Sequence, residues 1–163
     1  MYYKIAIVGA EESKFTPRAE TRAKQIIADI IAKRLVGHYD NEKDEPMVVS
    51  GHCHLGGVDI WAEDIAKLVG VKTQIFAPKQ KNWSHGYKPR NIQIAKACNE
   101  IHNIVVDVLP PKWDGTAFDV CYHCKRYKFD PFHVKSGGCW TAHFARALRK
   151  PAYWHVVSNG DNV

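Results

Sequence analysis

Short apolar runs alternate along the chain with stretches whose apolar residues recur three and four positions apart, a pattern of strands alternating with amphipathic helices. The run at 4–10 is apolar through Ile5, Ile7 and Val8 and ends in glycine and alanine, so it predicts a buried first strand. Ala23, Ile26, Ile27, Ile30 and Ile31 recur at helical spacing and predict an amphipathic helix over 17–35. The charged stretch 41–46 reads as a linker to a second strand at 47–50, and 51–57 as a loop. Val58, Trp61, Ile65 and Leu68 then give a second helix that stops at Gly70.

Beyond it the pattern predicts a strand at 72–77, a polar, turn-rich loop at 78–89 and a helix at 90–98 through Ile92, Ala95 and Cys98. A fourth strand at 101–108 is closed by Pro110-Pro111, a last helix covers 141–148, and a fifth strand covers 152–157. The order implies an α/β fold: a Rossmann-like, mostly parallel five-stranded sheet with helices on both faces. We read 1–163 as a single domain carrying an irregular insertion at 112–135 that holds Cys121, His123, Cys124 and His133. Ligands of such sheets bind beyond the carboxyl ends of the strands, so the loops after strands are where chemistry is expected.

Composition narrows the partners. Lysine and arginine outnumber aspartate and glutamate by 23 to 17, a net charge of +6, which favours anionic partners such as phosphates, nucleotides or nucleic acid. Lys79, Lys81, Lys88 and Arg90 cluster, as do Lys125, Arg126, Lys128 and Lys135. The first apolar run is too short for a signal peptide and none is long enough to cross a bilayer, so the expected setting is cytoplasmic, with no membrane partner. Five cysteines cannot all pair internally, which points to reduced thiols or a metal site.

Three segments carry candidate binding chemistry. Gly56-Gly57-Val58-Asp59 follows a strand and opens a helix, the context in which glycines let a backbone approach an anion and helix N–H groups point at it. Asp59 in that first turn can accept ribose hydroxyls or serve the helix dipole. Ser136-Gly137-Gly138-Cys139-Trp140-Thr141 repeats the arrangement, with Ser136 and Thr141 hydroxyls available to phosphate or to capping. Arg90-Asn91 opens the third helix, where a cation opposes the dipole, so a bound phosphate or carboxylate is the expected reason for it. Trp83 and Tyr87 can stack on a base or anchor their loop.

Taken in order, Gly-Gly-Val-Asp, Phe76-x-Pro78, Trp83, Gly86, Arg90-Asn91 and Ser-Gly-Gly-x-x-Thr resemble the SLOG superfamily of Rossmann-like proteins. That group includes the LOG phosphoribohydrolases, often described as lysine decarboxylase-like, and DNA-processing protein A. The resemblance runs from about Ile5 to Val157. It implies a nucleotide or nucleotide-derivative pocket built from Gly56, Gly57, Asp59, Arg90, Asn91, Gly137, Gly138 and Thr141, beside Ser136. The phosphoribohydrolases carry proline before the glycine pair, a further glycine at the position of Trp140 and a glutamate where this chain has Phe144. Arg90 matches their arginine, but without the glutamate the acid–base partner for N-glycosidic cleavage is missing, and Glu11 or Glu12 is the conceivable substitute. The expectation is therefore binding of a nucleotide-like small molecule, with N-glycoside hydrolase or transferase activity left open. The alternative is single-stranded nucleic-acid binding of the DNA-processing type, using Trp83, Tyr87 and Trp113. Pairing of two copies is open by fold analogy.

Cys121 and Cys124, with two residues between them, can share one tetrahedral zinc, with His133 and either Cys139 or His123 completing the set. Buried reduced thiols and a redox pair are the competing readings. His52, Cys53 and His54 alternate and could also meet a metal, a ligand or solvent.

Overall fold

The computed structural model describes residues 1–40, 44–115 and 118–160. Five strands form one sheet, all neighbours parallel, in the order β3-β2-β1-β4-β5. They are β1 (Tyr2–Gly9), β2 (Glu45–Ser50), β3 (Lys72–Ile75), β4 (Glu100–Val106) and β5 (Ala152–Val157). The helices are α1 (Pro17–Asp40), α2 (Val58–Leu68), α3 (Lys88–Ala97), the short α4 (Tyr122–Arg126) and α5 (Gly137–Ala147). Part of the linker read at 41–46 lies outside the described residues, and β2 already begins at Glu45. No helix among the described residues is long and apolar enough to cross a membrane.

β1 is central, and Ile5, Ala6, Ile7 and Val8 are all buried, as a strand covered on both faces requires. Alternation sends Ile5 and Ile7 toward α1 and α2, where Ala23, Ile27, Ile31, Val58 and Ala62 close one core. Ala6 and Val8 face the other way, into a second core with Ile94 and Ala95 of α3 and Ala142 and Ala145 of α5. Each buried isoleucine contributes roughly 1.5–3 kcal/mol of transfer free energy, so the two layers fix the sheet firmly. The chain goes from β1 to β2 on one side and later to β4 on the other. Such a reversal opens a crevice at the carboxyl end of β1.

The main departures from the sequence pattern lie around the site. Residues 78–89 are not all loop: Asn82 accepts the His85 N–H at 2.8 Å and opens a wide π-type turn over Trp83–Tyr87. That turn runs into α3, which begins at Lys88. Proline at position 89 is tolerated because the first helical turn has no N–H bond to lose. Likewise α5 starts at Gly137, not at Thr141, so the second glycine pair is the first turn of the helix itself.

Candidate ligand crevice and metal centre

A crevice of about 360 Å³ opens at the carboxyl end of β1. Of the residues expected from sequence, Asp59, Arg90, Asn91, Ser136, Gly137, Gly138 and Thr141 line it, whereas Gly56 and Gly57 do not. The reason is local. Gly56 and Gly57 have φ of 73° and 88°, and a Cβ on Gly57 would come within 2.4 Å of the Ala10 carbonyl oxygen. The Val58 N–H that opens α2 donates to that carbonyl at 3.2 Å. The first glycine pair therefore packs α2 against the end of β1, and Cys53, His54 and Leu55 face the crevice in its place.

The second glycine pair is built differently. Ser136 holds the cap position of α5 with extended φ and ψ, yet its side chain makes no capping bond. Its Oγ is buried without a hydrogen-bond partner among the described residues, and Ser136 is 1% exposed. An orphaned buried hydroxyl costs about 1–3 kcal/mol, which a bound acceptor or donor would recover. The Gly137 and Gly138 N–H groups lie in the first turn, which no carbonyl of the helix can reach. A Cβ at Gly138 would stand 2.7 Å from Asn103 Oδ1 and 2.7 Å from the Gly9 nitrogen, so this glycine is needed for α5 to approach β1 and β4. At Gly137 an added Cβ meets nothing within 4 Å: that position is open to the crevice.

Two lysines complete this end. Lys14 follows β1 and is buried; its Nζ donates to the Lys135 carbonyl at 3.0 Å and lies 3.8 Å from Glu11. Burial pulls its ammonium below the usual lysine range. Lys135 lines the same end. Sequence reading did not reach Lys14, because only the fold brings the loop after β1 beside residue 135; the glycine at the end of the first apolar run was the available hint.

At the opposite wall Arg90 donates to the Gly51 carbonyl and to Asn91 Oδ1, and its Nη1 stands 4.0 Å from Asp59 Oδ2. Burial raises the Asp59 carboxyl to about 6, against the opposing pull of Arg90. Trp83, Tyr87 and Ile94 supply an apolar side, with Trp83 packed edge-on against Trp140 at 5.2 Å. Glu11 lines the crevice but Glu12 does not, and Phe144 stacks on Trp140 at 5.3 Å. A larger hollow of about 480 Å³ lies beyond the π-type turn and shares Arg90, but neither glycine pair reaches it.

Behind the α5 start lies a cluster of metal-ligating groups. Cys121, Cys124, His133 and Cys139 are all buried, and their donor atoms lie within 4.8 Å of one another. Cys139 Sγ is 3.4 Å from Cys121 Sγ and 3.3 Å from Cys124 Sγ, and His133 Nε2 is 3.2 Å from Cys124 Sγ. Zinc bonds of about 2.3 Å to sulfur and about 2.0 Å to nitrogen would space tetrahedral donors roughly 3.5–3.8 Å apart. Four of the six donor separations, at 3.2–3.7 Å, fall within a few tenths of an ångström of that spacing, so the four groups could hold a metal ion. His133 Nδ1 lies 2.7 Å from the Val134 carbonyl; donating its proton there leaves Nε2 as the lone pair facing the sulfurs. His123, the alternative fourth donor, instead packs on Tyr122.

The electrostatics of the sulfurs fit a cation. Hydrogen bonds from Cys124 and Cys139 pull the Cys121 thiol down. Hydrogen bonding to Cys121 in turn pushes the Cys124 thiol up to about 12, and Cys139 upward as well. Three adjacent sulfurs do not ionise together without a positive partner, and a dication would supply it. Two donors outside the four were not foreseen from sequence: Trp154 Nε1–H donates to Cys139 Sγ at 3.4 Å, and His143 Nε2 lies 3.3 Å from Cys124 Sγ. His143 follows Cys139 by one helical turn, a spacing that would have been the signal.

No protein-family model, curated protein or solved structure matches the chain, so its relationships rest on its own residues and fold.

Proposed function

We propose that the crevice binds a phosphorylated, nucleotide-like ligand, with the phosphate at the start of α5 and the ring toward Trp83 and Tyr87, in the manner of the SLOG proteins the sequence resembles. The observation that carries this reading is Ser136: a cap-position hydroxyl, buried and unpartnered, beside the first-turn N–H groups of α5. A helix start with open donors favours an anion, and Lys14 and Lys135 add positive charge at the same end. The apolar wall suits a base or similar ring. Binding is the activity assigned. The place of the family's glutamate is filled by Phe144, which stacks on Trp140. Any N-glycosidic cleavage would have to draw its acid or base from Asp59 or Glu11, the carboxyl groups lining the crevice.

The experiment is a thermal-shift panel of nucleoside monophosphates, nucleoside diphosphates and nucleotide sugars. At least one is expected to raise the melting temperature, and Arg90→Ala to abolish the shift. A flat panel on the unmodified protein would remove the reading. Release of free base from the same compounds tests the enzymatic version.

For the sulfur cluster the ion proposed is zinc. Three thiolates and one imidazole in a closed, buried, tetrahedral set suit a structural zinc rather than a harder cation. Metal analysis of the purified protein should find one zinc per chain, reduced to background in Cys121→Ser/Cys124→Ser.

A further inference from the structure

Two of the four metal-ligating residues bracket the anion end of the crevice. Between His133 and Cys139 the chain runs Val134, Lys135, Ser136, Gly137 and Gly138, and the last four of these line the crevice. The whole connection from β4 to α5 occupies residues 107–136, and α4, with five residues, is the regular helix among those described. A connection of that length lacks the ladder bonds that hold a strand or helix in place and needs another restraint.

The backbone restraints on the strap are few. Val134 donates to the Val106 carbonyl at 2.9 Å, Lys135 to the Phe118 carbonyl at 3.3 Å, and the Cys121 N–H to the His133 carbonyl at 3.0 Å. Two of these tie the strap to other parts of the same irregular connection. From Lys135 to Gly138 the cradle is also held by the Lys14 ammonium on the Lys135 carbonyl at 3.0 Å and by the close packing of Gly138 on Gly9 and Asn103, while its two ends are fixed at His133 and Cys139. Both ends converge on Cys124, whose Sγ lies 3.2 Å from His133 Nε2 and 3.3 Å from Cys139 Sγ.

We propose that the metal acts as a switch on the crevice: with the ion bound and the thiols reduced, the strap holds Ser136, Gly137 and Gly138 in a phosphate-receiving arrangement, and without it the strap loosens and the phosphate end is lost while the sheet stays folded. This rests on the phosphate reading above. Most of the two apolar cores lies away from the sulfurs: Cys121, Cys124 and Cys139 form a third cluster with Phe129, which meets the second core through Trp154, while Val134 ties the strap to the first. Coupling is reciprocal, so a phosphate-bearing ligand would also slow loss of the ion.

The test uses the full chain, zinc-loaded and then stripped with a chelator under reducing conditions, with AMP as the probe. Amide hydrogen exchange is followed at Lys135–Cys139 and, as an internal control, at Ile5–Val8 of β1. Stripping is expected to speed exchange in the strap by at least about tenfold with little change in β1. It should also weaken AMP binding by at least about tenfold, with recovery when zinc is returned. Unchanged strap exchange on stripping overturns the switch, whether or not AMP binds. Strap loosening with no AMP affinity lost on stripping overturns it too. If zinc-loaded protein fails to bind AMP, the phosphate reading suffers, and the exchange data still decide whether the ion governs the strap. Collapse of protection in β1 along with the strap would also overturn the proposal, because the ion would then be holding the whole fold.

Discussion

Arg90 and Asp59 stand 4.0 Å apart at the wall of the crevice, both largely buried, on the first turns of two different helices. The pairing does not offset the cost of burying the carboxylate, because the Asp59 carboxyl is raised to about 6 even with Arg90 beside it. Its unfolded value lies near about 3.9. Between these two values the folded protein binds more protons than the unfolded one, so this group's contribution to stability falls as pH rises from about 4 to about 6.

Asp59→Asn should therefore stabilise the protein above pH 6, by up to about 3 kcal/mol. Arg90 keeps its bonds to Gly51 and Asn91 in that variant. The gain should shrink toward zero near pH 4. Chemical denaturation at pH 7.5 and pH 4.5 reads both values; a variant less stable than the parent at pH 7.5 contradicts the assignment of a net burial penalty.

A second pH dependence comes from the α1 face of the sheet. His102 Nε2 lies 3.1 Å from Glu100 Oε1, and its Nδ1 lies 2.9 Å from His155 Nε2, with Arg34 and Tyr3 on the same carboxylate. Burial, reinforced by His102, lowers His155 to about 4. Burial alone would raise Glu100, but hydrogen bonds from His102, Arg34 and Tyr3 outweigh it and bring the group to about 2. As pH falls from about 6.5 to about 4 the unfolded state takes up a proton that folded His155 refuses, so stability drops. The Glu100 contribution persists until pH falls through roughly 4 toward 2. His155→Gln should flatten the stability curve between pH 6.5 and 4 relative to the parent; an identical slope in both proteins contradicts this origin.

The sulfur cluster predicts a spectroscopic signature. Cobalt loaded in place of zinc into a Cys3His tetrahedral site should give intense ligand-field bands with thiolate charge transfer. His133→Ala should alter those bands, whereas His123→Ala should leave them in place, because His123 packs on Tyr122 outside the donor set. The reverse outcome would exchange the two histidines' roles.

Much of this architecture was legible in the chain, since period-two and helical spacings report directly on which face is buried. All five strands and the order of the long helices follow from runs such as Ile5-Ala6-Ile7-Val8 and Ala23 through Ile31. The site was legible only in part. Gly137-Gly138 and Gly56-Gly57 look alike as sequence, and only the tertiary contact of Val58 with the Ala10 carbonyl separates an open helix start from a packed one. The turn at Trp83–Tyr87 was hidden because aromatic, polar and proline residues give no apolar period, although the Asn82 cap was present. Lys14, His143 and Trp154 escaped notice because their roles depend on partners far away in sequence.

A phosphate seat at the α5 start stands or falls on Gly137. A Cβ there meets no protein atom within 4 Å but would occupy the cradle, and alanine in place of glycine in a helix adds up to about 1 kcal/mol of stability. Calorimetric titration of AMP and of adenosine into the parent and Gly137→Ala is the measurement. AMP is expected to bind the parent more tightly than adenosine, and Gly137→Ala, as stable as the parent or more so, to lose AMP affinity by about tenfold or more. Equal AMP affinity in a folded Gly137→Ala protein, or no advantage of AMP over adenosine in the parent, would contradict it.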